Sequence, residues 1–172
     1  AEGGGIDEVK SSVDFSLVGT AVENLTLTGA ANLQGVGNEL ANTIIGNVGN
    51  NRIEGGVGND RLSGQAGDDH LLGQAGDDYL NGGPDSDILD GGAGFDTASY
   101  SDAVGPVLIN LTTGTNSGAA GGDTLISIEG VEGSEDSDRI FGDEFDNWFS
   151  GLGGDDILDG RAGNDTLIGG DG

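Results

Sequence analysis

Along most of the chain one large apolar residue recurs at every ninth position, flanked by polar or small residues and separated from the next by Gly, Asn and Asp. From residue 46 the units read GNVGNNRIE, GGVGNDRLS, GQAGDDHLL, GQAGDDYLN, GGPDSDILD and GGAGFDTAS without a break to Ser99. A second run starts at residue 133 with GSEDSDRIF, GDEFDNWFS, GLGGDDILD and GRAGNDTLI, closing at Ile168, and Gly169 to Gly172 open another unit. The last three residues of each unit alternate as a short strand does and send one apolar side chain inward. The predicted core ladder is Ile44, Ile53, Leu62, Leu71, Leu80, Leu89, Ile140, Phe149, Leu158 and Leu167. Ala98 is the small member of that ladder, and the regular stack is expected to loosen there.

The remaining segments are less regular. Residues 11–45 read as short alternating strands around Val22, Leu25 and Leu27, then Leu33, with Gly and Asn at the turns. GNELANTII, at 37–45, is in register with the units from residue 46, so this region should extend the same coil with longer loops. Further back, EGGGIDEVK from Glu2 to Lys10 puts Asp7 and Val9 at the acidic and apolar positions of a unit. Residues 100–132 interrupt the array: VLINL at 107–111 alternates, TTGTNSGAAGGD is a loop, and TLISIEGVE returns to strand. An edge hairpin or an enlarged coil is expected, with Val131, nine residues before Ile140, rejoining the ladder. The predicted organisation is irregular coils over 1–45, a first array over 46–99, an insertion over 100–132 and a second, truncated array over 133–172. Because the chain starts on one repeat and stops inside another, it is expected to be cut from a longer protein.

Composition changes the picture. With 31 acidic and 5 basic residues the net charge is −26, and the hydrophobic content is only 34%. Alone, these values predict a disordered acidic chain, so something must neutralise the carboxylates before a compact state can form. Nucleic acid and anionic membrane are repelled by such a surface. The 37 Gly have no period of three and come with only 2 Pro, which excludes collagen. There is no Cys for a disulfide or thiolate site, no apolar run of membrane-spanning length and no leader-like N-terminus.

The acids are not scattered as on a solvated surface; they recur at the sixth position, with Gly at the first, second and fourth. Gly55, Gly56, Gly58, Gly64, Gly67, Gly73, Gly76, Gly82, Gly91, Gly94, Gly160 and Gly163 occupy such positions. Glycine there lets the backbone adopt positive φ and turn its carbonyls inward. Carbonyl and carboxylate oxygens are hard ligands, suited to Ca²⁺ with six to eight oxygens at about 2.3–2.6 Å.

These ten units closely resemble the RTX family, the hemolysin-type calcium-binding repeats of proteins exported by Gram-negative bacteria, over about two thirds of the chain. The resemblance implies an all-β fold, a parallel β-roll in which a six-residue loop precedes a three-residue strand, two units make one coil, and Ca²⁺ lies between loops stacked on the same side. The sixth-position residues then sort into rows: Asn42, Asp60, Asp78 and Asp96 on one side, Asn51, Asp69 and Asp87 on the other. In the second run Asp138 faces Asp156 and Asn147 faces Asp165. Asn at 42, 51 and 147 keeps an oxygen but not the charge, so weaker or part-filled sites are expected. In GGPDSD, Asp85 replaces a glycine and puts that loop's geometry in question. Loop pairing suggests about seven ions, which would bring the charge to about −12.

The resemblance further implies export of an unfolded chain by a type I secretion machinery, then folding on extracellular calcium, outside the cell or at the surface of a Gram-negative bacterium. The alternative is a binding module, either for an acidic polysaccharide such as alginate or for further copies of itself in an adhesive or surface assembly. No catalytic constellation is visible: no H-E-x-x-H, no paired Ser and His, and no acid pair distinct from the repeat loops. His70, the one histidine, sits at an outward position without converging partners. Phe141, Phe145, Trp148 and Phe149 cluster in one coil, with Phe149 inward and Trp148 and Phe141 outward, where contact with the insertion is the simplest role. DSDRIFGDEFDN lacks the glycine offset and closing Glu of an EF-hand. The N-x-T triplets at Asn24, Asn110 and Asn164 are expected to be chance matches, given the bacterial source that the resemblance implies.

Overall fold

The nine-residue period is the half-circuit of a roll. The computed structural model describes residues 5–172, and among them every regular element is a strand. In chain order these are β1 (Glu8–Ser11), β2 (Phe15–Ser16), β3 (Asn24–Leu27), β4 (Gln34–Val36), β5 (Thr43–Ile45), β6 (Arg52–Val57), β7 (Arg61–Ser63), β8 (His70–Ala75), β9 (Tyr79–Asn81), β10 (Ile88–Ala93) and β11 (Thr97–Ser99). The insertion carries β12 (Val107–Asn110), β13 (Ser117–Gly118), β14 (Thr124–Ile126) and β15 (Gly130–Glu132). The second array carries β16 (Arg139–Phe141), β17 (Trp148–Ser150), β18 (Ile157–Asp159) and β19 (Thr166–Ile168).

One wall is a nine-stranded parallel sheet, ordered β1-β3-β5-β7-β9-β11-β15-β17-β19. The facing wall is divided into β14-β10-β8-β6-β4-β2 and a smaller sheet β13-β12-β16-β18. The chain is thus an all-β parallel solenoid of about nine turns. Partners within the arrays are eighteen residues apart, as in Ile44↔Leu62↔Leu80 and Ile53↔Leu71↔Leu89. Identical positions therefore stack, and these six side chains are each at most 2% exposed. Such single-file ladders need only one large side chain per strand, which is why so glycine-rich a sequence still has a continuous core.

The irregular N-terminal region extends the coil as expected, with uneven loops. Val9 pairs with Leu25, sixteen residues on; Leu25 pairs with Ile44, nineteen on; and Phe15 pairs with Gly35, twenty on. Leu25, Leu27 and Leu33 are buried, while Val22 packs on the core from outside a strand. Asp7 is exposed and lies outside the buried rows; Glu2, Gly3 and Gly4 fall outside the described residues.

Several expectations need correction. At the end of the first array the facing wall is indeed divided, but the nine-stranded wall stays closed at Ala98, which is fully buried and paired to Leu80 and Val131, with Tyr100, Ala120 and Ile128 of the insertion bringing bulk to the same core. Strands are not uniformly three residues long: β6, β8 and β10 run on into the following loop through Gly56↔Gln74↔Gly92 and Val57↔Ala75↔Ala93. Leu158 is only half-buried and Leu167 is 43% exposed, because β18 and β19 are the outermost strands of their sheets.

The insertion combines both expected forms. Between β11 and β15 the chain crosses the divided wall twice, first forward as β12 beside β16 and then back as β14 beside β10. β12 and β13 form a short antiparallel hairpin. Val131 does rejoin the ladder, fully buried between Ala98 and Phe149. Phe149 is fully buried, Phe145 is exposed, and Phe141 lies beside Asn110 of β12 with the Arg161 guanidinium 5.9 Å from its ring. His70 is half-buried, its Nδ1 3.1 Å from Arg52 Nη1.

Candidate metal centre

Each sixth-position residue sits just before a strand, where the chain turns its side chain into the space between stacked loops. Asp60, Asp69, Asp78, Asp87 and Asp96 are at most 2% exposed. One oxygen of each accepts the backbone N–H of the residue eighteen places earlier. Asp60 Oδ1 takes that of Asn42 at 2.7 Å, Asp78 that of Asp60 at 2.7 Å and Asp96 that of Asp78 at 2.8 Å. On the other side Asp69 takes that of Asn51 at 2.6 Å, and Asp87 that of Asp69 at 2.8 Å. In the second array Asp156 pairs with Asp138 and Asp165 with Asn147, each at 2.9 Å. The structure thus stacks the residues in the rows that the spacing suggested.

The second oxygen distinguishes two kinds of loop. Oδ2 of Asp60, Asp69, Asp78, Asp87, Asp96 and Asp156 is buried without any donor. In all six loops the second residue is left-handed, whether it is Gly56, Gly83 or Gly92, or Gln65, Gln74 or Leu152. Four loops are closed instead. There the second residue is Asn38, Asn47, Ser134 or Asp143, and its backbone N–H bonds to Asn42, Asn51, Asp138 or Asn147 at 2.6–3.1 Å. Its side-chain oxygen bonds to the N–H two residues on, an Asx- or Ser-type turn. The closed loops open each run of repeats. In the first run Asn38 and Asn47 also donate Nδ2 to Val22 O (2.9 Å) and Ala31 O (3.1 Å), so N–H donors join the array to the irregular coils. Asp165, in a loop of the open kind with Arg161 left-handed, is half-buried.

Asp85 answers the question over its loop: it holds the left-handed conformation of the glycine it replaces, at φ 89°, and Asp87 remains buried. Leu152 at φ 70° is less suited to that region. Leu152→Gly is expected to stabilise the metal-loaded roll by about 1 kcal/mol, the strain relieved less the entropy of a freer unfolded chain. A lowered thermal midpoint for that variant would contradict it.

The first glycine of each open loop keeps space for the free oxygen. A Cβ on Gly55, Gly64, Gly73, Gly82 or Gly91 would strike Oδ2 of the Asp in its own loop, as would one on Gly151 or, in the last loop, Gly160. At Gly55, Gly64 and Gly73 it would also meet a carbonyl of the next coil, with Gly73 O at 2.8 Å, Gly82 O at 2.6 Å and Gly91 O at 2.5 Å respectively. Further along the loops Gly56, Gly58, Gly76 and Gly94 pass directly over carbonyls of the coil before, Gly67 packs on Gly49 and Asn50, and Gly163 lies over Phe145 O.

Five of the six loops with a donorless Oδ2, all but that of Asp87, therefore set a desolvated carboxylate oxygen against a carbonyl oxygen. Burial pushes Asp60 and Asp87 up to about 7 and Asp69 and Asp96 to about 6, against the N–H bond each accepts, and raises Asp78 likewise. Among the described residues no three His, Cys, Asp or Glu side chains converge, so backbone carbonyls must complete any site. An all-oxygen donor set fits a hard divalent cation such as Ca²⁺ and not a soft metal.

Sequence reasoning missed two members of the rows. Asp123 Oδ1 accepts the Asp87 N–H and Glu129 Oε2 accepts the Asp96 N–H, both at 2.9 Å. The signal was present without the glycine loop, in D-T-L-I at 123–126 and E-G-V-E at 129–132, where an acid again precedes a strand triplet. Asp123 is itself capped, its Oδ2 accepting the Tyr100 hydroxyl at 2.9 Å; burial and then the Asp123 charge hold that phenol well above its ordinary range.

A model of the RTX calcium-binding nonapeptide repeat (4 copies) matches residues 36–71, 63–98 and 132–167, more than half of the chain, and leaves out the insertion. No curated protein matches the chain.

Proposed function

The chain belongs to the RTX calcium-binding nonapeptide repeat family, and from that premise we propose that its Asp rows hold Ca²⁺ between loops stacked on each side of the roll. The observation that carries the assignment is the set of six buried carboxylate oxygens that lack a donor, all in register. A bound Ca²⁺ supplies the positive charge that these oxygens lack. Asp60, Asp78 and Asp96 contribute from one side and Asp69 and Asp87 from the other, while Asp156 pairs with Asp138 and Asp165 with Asn147. Among the loop pairs, 60/78, 78/96 and 69/87 join two open loops and should bind most tightly. The pairs containing Asn42, Asn51, Asp138 or Asn147 bind more weakly, because there an oxygen already accepts an N–H. The total by pairing is about seven.

The module's role in this proposal is structural: a calcium-folded export domain of a larger protein secreted through a type I channel, with 46–99 and 133–172 carrying the rows and 100–132 joining them. RTX proteins are typically secreted by Gram-negative bacteria, and the repeat fold is structural rather than catalytic. No helix among the described residues is long and apolar enough to cross a membrane. A low extracellular-type affinity, with Kd of about 10⁻⁴–10⁻³ M, would keep the chain unfolded in the cytosol and fold it outside.

Asp78→Asn tests the site. The amide oxygen still accepts the Asp60 N–H, but the unpartnered oxygen becomes an N–H₂ group that repels a cation. Native mass spectrometry at saturating calcium should show a loss of about two ions, one on each side of residue 78. An unchanged ion count would remove the Asp rows as ligands.

A further inference from the structure

At the junction with the insertion, the loop from Gly91 to Asp96 has no nonapeptide loop stacked beyond it. The chain instead turns from β14 to β15 through Ser127, Ile128 and Glu129, three residues where the array uses six. Ser127 is left-handed at φ 50°. A Cβ on Gly91 would lie 2.5 Å from Asp96 Oδ2 and closer still to the Ser127 carbonyl oxygen. Within the array that carbonyl position belongs to the first Gly of the next loop, as Gly91 O stands over Gly73. Glu129 takes the sixth-position role, its Oε2 accepting the Asp96 N–H at 2.9 Å just as Asp96 accepts that of Asp78. The turn is clamped on its other side by the N–H groups of Glu129 and Gly130, which donate to Asp96 O at 3.1 and 2.8 Å. Asp96 itself is fully buried, and its Oδ2 has no donor.

We propose that the 91–96 loop and the 127–129 turn form a hybrid Ca²⁺ site, held by the Asp96 and Glu129 carboxylates and the Ser127 carbonyl, that fastens the insertion to the array. The proposal rests on the calcium reading of the Asp rows and adds ligands that lie in no nonapeptide. A three-residue turn lacks the carbonyls of a full loop, so water completes the shell and this ion is bound more weakly than any held between two full loops. The opposite row ends differently, because Asp123 already holds the Tyr100 hydroxyl.

The test uses the whole chain at saturating calcium, with native mass spectrometry for ion count, calorimetric titration for affinity and far-UV circular dichroism for the fold. In Glu129→Gln the amide oxygen can still accept the Asp96 N–H, so the fold should persist. One ion, together with the weakest step of the titration, should disappear. Asp78→Asn serves as the parallel variant for the array interior. If Glu129→Gln keeps every ion and the weakest step while Asp78→Asn loses ions, the hybrid site is overturned and the general reading stands. If neither variant loses an ion, the general reading fails and takes the hybrid site with it. Should Glu129→Gln not fold, Glu129→Asp decides: with the carboxylate withdrawn by one methylene, the weakest Kd should rise about tenfold, and an unchanged value overturns the site.

Discussion

In excess chelator at neutral pH the chain should lose almost all of its β-sheet circular dichroism, and millimolar calcium should restore it in one cooperative transition. One large side chain per nine residues is a thin core to set against the entropy of ordering those nine residues. The six loops with unpartnered oxygens make matters worse, since at neutral pH the metal-free roll must either hold buried, unpaired charge or take up protons there. Binding free energy then becomes folding free energy, as in other metal-dependent modules. The pH dependence in chelator has a definite sign. The buried Asp carboxyls have folded values of about 6 to 7 against an ordinary 3.8, so the metal-free roll binds protons more tightly than the unfolded chain. Their contribution to stability is complete below about pH 4 and is lost as the pH rises through 6 to 7. Residual β signal in chelator should therefore grow on acidification from neutral pH. A full β spectrum in chelator at pH 7.5 would refute the coupling, and a signal that declines on acidification would refute its electrostatic origin.

Gly73→Ala is expected to be nearly as damaging, although it adds a single methyl group. Gly73 does not rely on a left-handed backbone; its Cβ would occupy the space where Asp78 Oδ2 faces the Gly91 carbonyl, 2.5 Å from that carbonyl oxygen and 2.8 Å from Asp78 Cγ. The Gly91 carbonyl is fixed by the stacked backbone, and the Asp78 carboxylate is held by the Asp60 N–H that its Oδ1 accepts. Overpacking costs about 1–3 kcal/mol, and the ion held there is lost as well, so a total near 4 kcal/mol is expected in the calcium-loaded state. Gly169→Ala is the matched control, with a first-position glycine whose Cβ would meet nothing within 4 Å. Denaturant unfolding in saturating calcium should separate the two variants clearly. Equal stability would mean that the space over Gly73 is not needed.

The ladder and the rows were legible in the sequence because both repeat with the chain's own period. Ile53, Leu71 and Leu89 could be placed without a structure, and so could the partnership of Asp60 with Asp78. Four features were not recorded by that period. Asp123 and Glu129 keep the acid-before-strand tail but lose the glycines that make a loop recognisable. The difference between open and closed loops depends on the backbone of one residue, where Gln65 and Gly56 behave alike and Asn47 does not. Leu158 and Leu167 read as core because pattern records which way a side chain points, whereas burial depends on having a coil on each side. The path of 100–132 was reducible to two alternatives and no further, since β12 lies ahead of β14 along the roll although it precedes it in the chain.

That crossing has a mechanical consequence. Everywhere else in the arrays successive coils are bonded along two walls, so an axial pull is shared by two ladders. Between β14 and the β13-β12 edge one ladder is missing, and of the strand pairings described only that of β11 with β15 bridges the break. A rod of near-identical turns thus acquires a defined yield point. Tension would part the divided wall there first, leaving two stiff segments hinged along the intact one.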